Sequence, residues 1–389
     1  MKKSKIQIRI SSYIRLRKSL FEAARAARKG ITNIDFWPSS LNLMMIDRCN
    51  AQCIMCGHDY HDCGSGDMLT FAKVQTIFEH LHMHKLVDVI YGGGGEPFLN
   101  DDLGEIAEYT HRRDPVIQHT VITNGIAWRS AIVKKLIENN VDFLVSLNAA
   151  SPKSYATVSG VDGFESVCSN IDNLNQLRKK INVGNHLAVS IILMRQNIHE
   201  LPEFVRLADR LGADSVKAFY ARIYPPAFRI RSGNARIASE DSLYYHQDLA
   251  NRFIREAQEE AGRMKIRFEP PPLFGTHKAV SQNCLEPWRS LYIDTNGNLF
   301  PCAASEIHFK EKVDKQIYKT GNILHDPIEK IWNNEFWQAL RKTNLQSDAV
   351  QPIVPECSCC SMGICWNGPD VAESHLMDWS HSEASSLHL

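Results

Sequence analysis

The chain has 389 residues with 44 basic and 44 acidic side chains, a formal net charge of zero and a sequence pI near 7.2. This length exceeds one typical domain and is enough to bury a large core, and the charge balance gives no global electrostatic case for nucleic acid or a generic acidic partner. Its 11 cysteines, an odd number gathered at short spacings, do not read as a disulfide framework. With no secretory apolar region and no apolar stretch long enough for a bilayer, the expected setting is the reducing cytoplasm.

The chain opens on a basic segment. Lys2, Lys3, Lys5, Arg9, Arg15, Arg17, Lys18, Arg25, Arg28 and Lys29 face one acid, Glu22, while Leu16, Leu20, Ala24 and Ala27 recur at helical spacing. A membrane-surface helix is one reading; a basic helix packed on the body of the protein is favoured, because no Trp anchors the apolar side. The apolar run 41–46 reads as a strand and leads into Cys49, Cys53 and Cys56, spaced C-x3-C-x2-C. Three thiolates in one loop can hold three irons of a four-iron cluster and leave the fourth open, as catalytic metal sites require. A zinc loop completed by His58, His61 or Cys63 is the alternative. The polar run His58, Asp59, Tyr60, His61, Asp62 is read mostly as solvated loop, with lining of a substrate mouth or proton transfer as the functional option.

Three further apolar runs follow, each ending in small or polar residues. Run 87–91 ends in Gly92-Gly93-Gly94-Gly95-Glu96-Pro97, run 120–122 in Thr123-Asn124-Gly125, and run 143–145 in Ser146-Leu147-Asn148. Segments 70–82, 103–109 and 132–137 carry helical periodicity between them. Strands at 187–193 and 215–220 flank a helix over 201–211 closed by Gly212. This alternation predicts a parallel sheet with crossover helices, and active sites of such barrels form at the C-terminal strand ends. The cysteine loop, the glycine run, the Thr-Asn-Gly turn and the Ser-x-Asn then converge on one mouth.

Beyond a loop at 223–239 and a helix over 242–263, Glu269-Pro270-Pro271-Pro272 marks a boundary. Cys284 then precedes Pro287-Trp288 and a hairpin of 290–294 with 298–300 around Thr295-Asn296-Gly297. Cys302 closes it, and Cys357, Cys359, Cys360 and Cys365 follow much later. The hairpin pair plus a later C-x2-C can close a four-cysteine site, with zinc as the alternative metal. The stripe Trp332, Phe336, Trp337, Leu340 reads as core. Cys168 is read as an inert buried thiol.

Taken together these motifs resemble the radical S-adenosylmethionine (radical SAM) superfamily. The resemblance covers about 41–368 and implies a partial (β/α)6 TIM-like barrel with a C-terminal α+β SPASM or twitch cluster-binding domain. It implies divisions at 1–40 (basic extension), 41–240 (barrel), 241–270 (linking helix and boundary), 271–368 (cluster domain) and 369–389 (tail). Cys49, Cys53 and Cys56 match the family's cluster motif, and Met55 stands where many members carry an aromatic residue. Gly94-Gly95-Glu96-Pro97 matches the motif that contacts the cofactor's methionine amino group, and Ser146 and Asn148 stand where members contact ribose or carboxylate. With the convergent turn residues, the candidate cofactor contacts are Gly94, Gly95, Glu96, Thr123, Asn124, Ser146 and Asn148. The implied chemistry is reductive cleavage of S-adenosylmethionine to a 5′-deoxyadenosyl radical that takes hydrogen from a substrate, with flavodoxin or ferredoxin as reductant.

Gly297-x4-Cys302, Gly321-Asn322-Ile323, Pro327-Ile328 and Ile331-Trp332-Asn333 match the auxiliary-cluster region of that family. A two-cluster SPASM domain needs at least seven cysteines after the barrel; six occur here. One auxiliary four-iron cluster is therefore expected on Cys284, Cys302, Cys357 and Cys360, with Cys359 or Cys365 able to replace one of the last pair. Cys63 is the candidate hydrogen donor if the outcome is epimerisation. Because the basic segment is too short for a peptide-recognition domain, the expected substrate is a small molecule or sugar-like natural product, undergoing dehydrogenation or epimerisation; peptide maturation is the alternative. The rival of another class is a non-catalytic zinc-binding scaffold.

Overall fold

The computed structural model describes residues 5–57, 66–181, 184–221, 237–275, 284–302 and 310–343. Helix α1 (Lys5–Arg28) leads to strand β1 (Ser40–Leu43). Helix α2 (Phe71–Glu79) starts where the Thr70 side chain accepts from the Lys73 amide, an N-cap that satisfies a helix donor without an intrahelical partner. There follow β2 (Asp88–Tyr91), α3 (Leu103–Arg113), β3 (Gln118–Thr123), α4 (Ser130–Glu138), β4 (Val141–Ser146), α5 (Pro152–Ser159), α6 (Phe164–Ile181), β5 (Leu187–Leu193), α7 (Leu201–Arg210) and β6 (Ser215–Tyr220). Helix α8 (Gln247–Met264) and a short strand β7 (Arg267–Glu269) precede α9 (Glu286–Arg289), the hairpin β8 (Ser290–Ile293) and β9 (Leu299–Phe300), α10 (Ile328–Ile331) and α11 (Glu335–Thr343).

The strands form one sheet in the order β7-β6-β5-β4-β3-β2-β1-β8-β9. Every pairing is parallel except β8 with β9. This is the expected partial barrel, with two additions. Strand β7 joins the β6 edge, and the C-terminal hairpin continues the barrel sheet because β8 pairs with β1, Ser40 against Ser290. Strand β1 is shorter than the predicted 41–46. Its ladder ends because Gly92 and Gly93 turn away with φ of 151° and 92°, and Met45 and Asp47 bond residues 67–69 instead.

Side chains alternate across the sheet. The face carrying Leu43, Tyr91, Val121, Phe143 and Val189 is buried beneath the helices. The opposite, inner face carries Asn42, Ile90, Thr120, Leu144 and Ser146 at half exposure. Near the N-terminal strand ends that face holds Asp88, bonded by the Ser40 hydroxyl at 2.6 Å, and Asp142, which accepts from the His186 amide at 2.7 Å. Burial pushes both carboxyls above their ordinary values.

The C-terminal segment is fastened to residues 31–36. Trp288 Nε1 donates to the Ile31 carbonyl at 3.0 Å and Trp332 Nε1 to that of Phe36 at 3.0 Å. Fully buried Arg341 donates to the carbonyls of Pro287, Thr32 and Trp332 at 2.8–2.9 Å and to Asn333 Oδ1 at 3.0 Å. Burial lowers its pKa to about 9, so it stays charged at neutral pH. Trp332, Phe336, Trp337 and Leu340 are core residues, as their spacing predicts. Among the described residues no helix is long and apolar enough to cross a membrane.

Candidate functional site

The cysteine loop leaves the C-terminal end of β1 and is held on both flanks by backbone. On one side, the Gly95 amide donates to the Ile46 carbonyl at 3.0 Å and the Glu96 amide to that of Arg48 at 2.9 Å. On the other, Gln52 and Ile54 amides donate to the Ser159 and Val158 carbonyls, each at 2.9 Å, at the end of α5. Both approaches are too close for a side chain. A Cβ on Gly95 would stand 2.1 Å from the Arg48 oxygen, and one on Gly160, at φ 68°, would stand 2.5 Å from that of Gln52. Cys56 N–H closes a turn onto the Cys53 carbonyl at 3.0 Å. Ile54 and Met55 pack on Val158, Met194, Ala221 and Ile237, so the Met55 position is filled by an apolar contact.

Glu96 is 2 % exposed and ties the ends of β2 and β3. Its carboxylate accepts from Thr123 Oγ1 at 2.7 Å, the Asn124 amide at 2.8 Å and the Phe98 amide at 3.1 Å. Burial raises its pKa to about 6 against those three donors. Asn124 Nδ2 in turn donates to Asn50 Oδ1 at 2.7 Å and lies 3.7 Å from Cys49 Sγ. Asn148, at φ 62°, accepts from the Ile192 amide at 2.9 Å through Oδ1, which bridges β4 to β5; half-buried Ser146 sits beside Ser190 at 3.5 Å. Glu96, Thr123 and Asn148 thus bind the site's own frame, while Gly94, Gly95, Asn124 and Ser146 line the same strand ends.

Four framing residues carry no family motif in the sequence. Asn100, fully buried, donates to the Met45 and Leu69 carbonyls at 2.7 and 2.9 Å and fixes the root of the cysteine loop. Asn197 donates to the Asn148 and Ile192 carbonyls at 3.1 and 2.8 Å. Glu200 accepts from Ser151 Oγ, Ser154 Oγ and the Ala150 amide, anchoring the start of α5. Asn170 donates to the Gly125 carbonyl at 2.9 Å. Asn100 follows the apolar run Pro97-Phe98-Leu99, which is the available signal there; Asn197 stands among polar residues and has none, and apart from Ile192 the partners of both lie 31 to 55 positions away.

By the chemistry of its donors, three thiols on one loop, the site suits an iron–sulfur cluster. Burial, then Cys56 and Cys49, and Glu96 as well, push Cys53 far above an ordinary thiol; burial and Glu96 raise Cys49. Three neighbouring thiolates beside a carboxylate therefore call for a strongly cationic partner, which iron supplies. In the second cysteine region Cys284 is exposed and Cys302 half-buried, at either end of the β8–β9 hairpin. Its turn is locked by buried Asp294, which accepts from the Asn296 and Asn298 amides at 2.9 Å and from Lys310 Nζ at 3.1 Å. Cys63 and His58–Asp62 lie outside the described residues, as do Cys357, Cys359, Cys360 and Cys365. Cys168 is half-buried on α6; burial and then Glu165 push its thiol up to about 11, as befits an unreactive cysteine.

A radical SAM superfamily model matches residues 43–208, and a SPASM iron–sulfur cluster-binding domain model matches residues 284–361. The barrel carries a radical SAM domain and the C-terminal segment a SPASM domain. The chain's cofactors are accordingly an iron–sulfur cluster of the [4Fe–4S] type, S-adenosylmethionine and auxiliary iron–sulfur chemistry in the C-terminal region. The chain is 22 % identical over 273 residues to the PqqA peptide cyclase of Granulibacter bethesdensis, covering 69 % of this chain and 68 % of that protein. It is 27 % identical over 240 residues to the probable GTP 3′,8-cyclase of Methanocaldococcus jannaschii, covering 56 % and 76 %. Streptococcus suis SuiB bound to its precursor peptide SuiA shares the fold, with a TM-score of 0.61 and 16 % identity over 90 % of this chain and 77 % of that one.

Proposed function

We propose that this radical SAM enzyme modifies a peptide. The observation that carries the enzymatic reading is the cysteine loop clamped by backbone at the mouth of the barrel. Cys49, Cys53 and Cys56 would hold the cluster, leaving an iron for the cofactor. Gly94, Gly95, Asn124 and Ser146 would line the cofactor's bed, while Glu96 and Thr123 keep the ends of β2 and β3 together beneath it. When bound, the cluster and S-adenosylmethionine supply a 5′-deoxyadenosyl radical that removes hydrogen. Cys284, Cys302, Cys357 and Cys360 would ligate one auxiliary four-iron cluster.

Peptide as substrate replaces the small-molecule expectation as the favoured reading. The likeness to a peptide cyclase over two thirds of both chains supports it, as does a fold shared with a peptide-bound enzyme. The half-exposed inner face, open between the β7 and β9 edges of the sheet, offers an extended surface for such a chain. The likeness to a GTP 3′,8-cyclase supports the rival small-molecule reading.

The test is anaerobic turnover of the reconstituted protein with S-adenosylmethionine, a reductant and short peptides encoded beside its gene. Formation of 5′-deoxyadenosine together with a peptide lighter by two hydrogens is the expected result. Turnover with nucleotides or sugars and none with peptides would overturn the substrate class, and bound zinc with no iron would overturn the enzyme.

A further inference from the structure

Helix α1 uses two opposite faces. One is buried: Ser12, Ala23, Ala26 and Ala27 are at most 4 % exposed, and Arg15 donates to the Leu86 carbonyl at 2.6 Å and to Asp114 at 2.9 Å. The other carries Ile10, Tyr13, Ile14 and Phe21, exposed at 54, 61, 59 and 62 %. These are four of the nine large hydrophobic residues exposed among the described residues, so the clustering on one helix is not ordinary surface scatter. Positions 10, 14, 17, 21 and 28 fall on one stripe at helical spacing. Arg17 and Arg28 lie within it, and Lys18 and Arg25, also exposed, lie along its edge. Glu22 is the only acid in the helix, against Lys5, Arg9, Arg15, Arg17, Lys18, Arg25 and Arg28.

We propose that this outer face docks the protein on an anionic membrane surface. An apolar stripe interleaved with long cationic side chains suits the boundary between acyl chains and headgroups, where Lys and Arg bury their stems and keep their charge in the headgroup layer. Anionic headgroups neutralise the cations that a single Glu leaves unbalanced. A second copy is the poorer partner, because a two-fold contact would set this cationic face against itself. The face is convex, with no groove for a partner's side chains.

The contacts of α1 also fix which way the molecule would lie. Leu86, Asp114 and Ser39, which is bonded by Ser19, stand just before β2, β3 and β1. The helix therefore covers the N-terminal strand ends, and the cysteine loop is at the opposite ends. A docked molecule turns its catalytic mouth to the aqueous side.

The experiment is co-sedimentation of the full chain with phosphatidylcholine vesicles, with and without roughly one third phosphatidylglycerol. Binding to the mixed vesicles and not to the neutral ones is expected. An Ile10→Ser/Ile14→Ser/Phe21→Ser variant and an Arg17→Gln/Lys18→Gln/Arg25→Gln/Arg28→Gln variant should each partition at least about a hundredfold more weakly. All seven side chains lie on the surface, so both variants should keep the wild-type melting temperature and iron content. A Phe21→Trp variant should shift its emission to the blue on mixed vesicles. Failure of the wild type to sediment, equal binding to neutral vesicles, or binding without the emission shift would each overturn the proposal. So would a dimer in solution that the triple-Ser variant converts to monomer, since the face would then be a contact between copies.

Discussion

The cysteine loop and the C-terminal segment are both tied to parts of the chain far away in sequence, but by different atoms. The loop is clamped by main-chain bonds to Gly95, Glu96, Val158 and Ser159. The C-terminal segment is fastened by side chains, with Trp288, Trp332, Asn333 and Arg341 reaching carbonyls of residues 31–36 and their surroundings. The difference follows from what each region must offer. The three cysteine side chains of the loop would be taken up by metal and cannot also brace it, so its geometry is set largely by backbone, with glycines where the chains meet. The C-terminal segment is positioned away from its cysteines, and buried indole and guanidinium donors do it.

That contrast can be broken in order of effect. Cys49→Ala/Cys53→Ala/Cys56→Ala should abolish 5′-deoxyadenosine formation and reduce about eight irons to about four, measured by iron and sulfide assay after anaerobic reconstitution. Loss of all iron would mean that no auxiliary cluster exists. Gly95→Ala should leave the fold in place and displace the loop, lowering the rate of cofactor cleavage at least ~100-fold; an unchanged rate would show that the main-chain clamp is dispensable. Arg341→Met should destabilise the protein by about 3 kcal/mol in chemical denaturation, because buried carbonyls lose a charged donor. Iron in the N-terminal site should survive that change.

His119 offers a control in neither region. It is 2 % exposed, shares a 3.0 Å hydrogen bond with Tyr91, and burial, then His111, lowers its pKa to about 3 from 6.5. The unfolded chain therefore binds the extra proton first, so stability is lost as pH falls below 6.5 and is fully present above it. His119→Phe should make the decline between about pH 6.5 and 5 shallower by about 1.4 kcal/mol per pH unit, read from denaturation midpoints.

Much of the frame is legible in the sequence because it is periodic. Strands, crossover helices and the Asn296-Gly297 hairpin follow from alternation, helical spacing and turn chemistry. Helices α5 and α6 carry signals that such a reading passes over: Ser151 caps α5, Pro152 begins it and Gly160, at φ 68°, stops it. The β1–β8 pairing has no local signature, since parallel partners share no turn. The site is half legible for the same reason. Cysteine spacing and the Gly-Gly-Glu-Pro run are local patterns, whereas the brace that Asn148 makes to β5 has no local signal, and Asn100 and Glu200 act on segments 31 to 55 positions away.

Strand β1 has a consequence for synthesis on the ribosome. Its β2 edge is covered early, but Ser40 finds Ser290 only after about 250 further residues have been made. At ~5–20 residues per second that is roughly 12–50 s. Over that interval the strand from which the cysteine loop hangs presents an unpaired edge, a template for wrong partners. A transcript cut short before β8 would yield a complete set of radical SAM motifs on an open-edged sheet. Solubility should therefore depend on the hairpin even where the motifs alone are wanted.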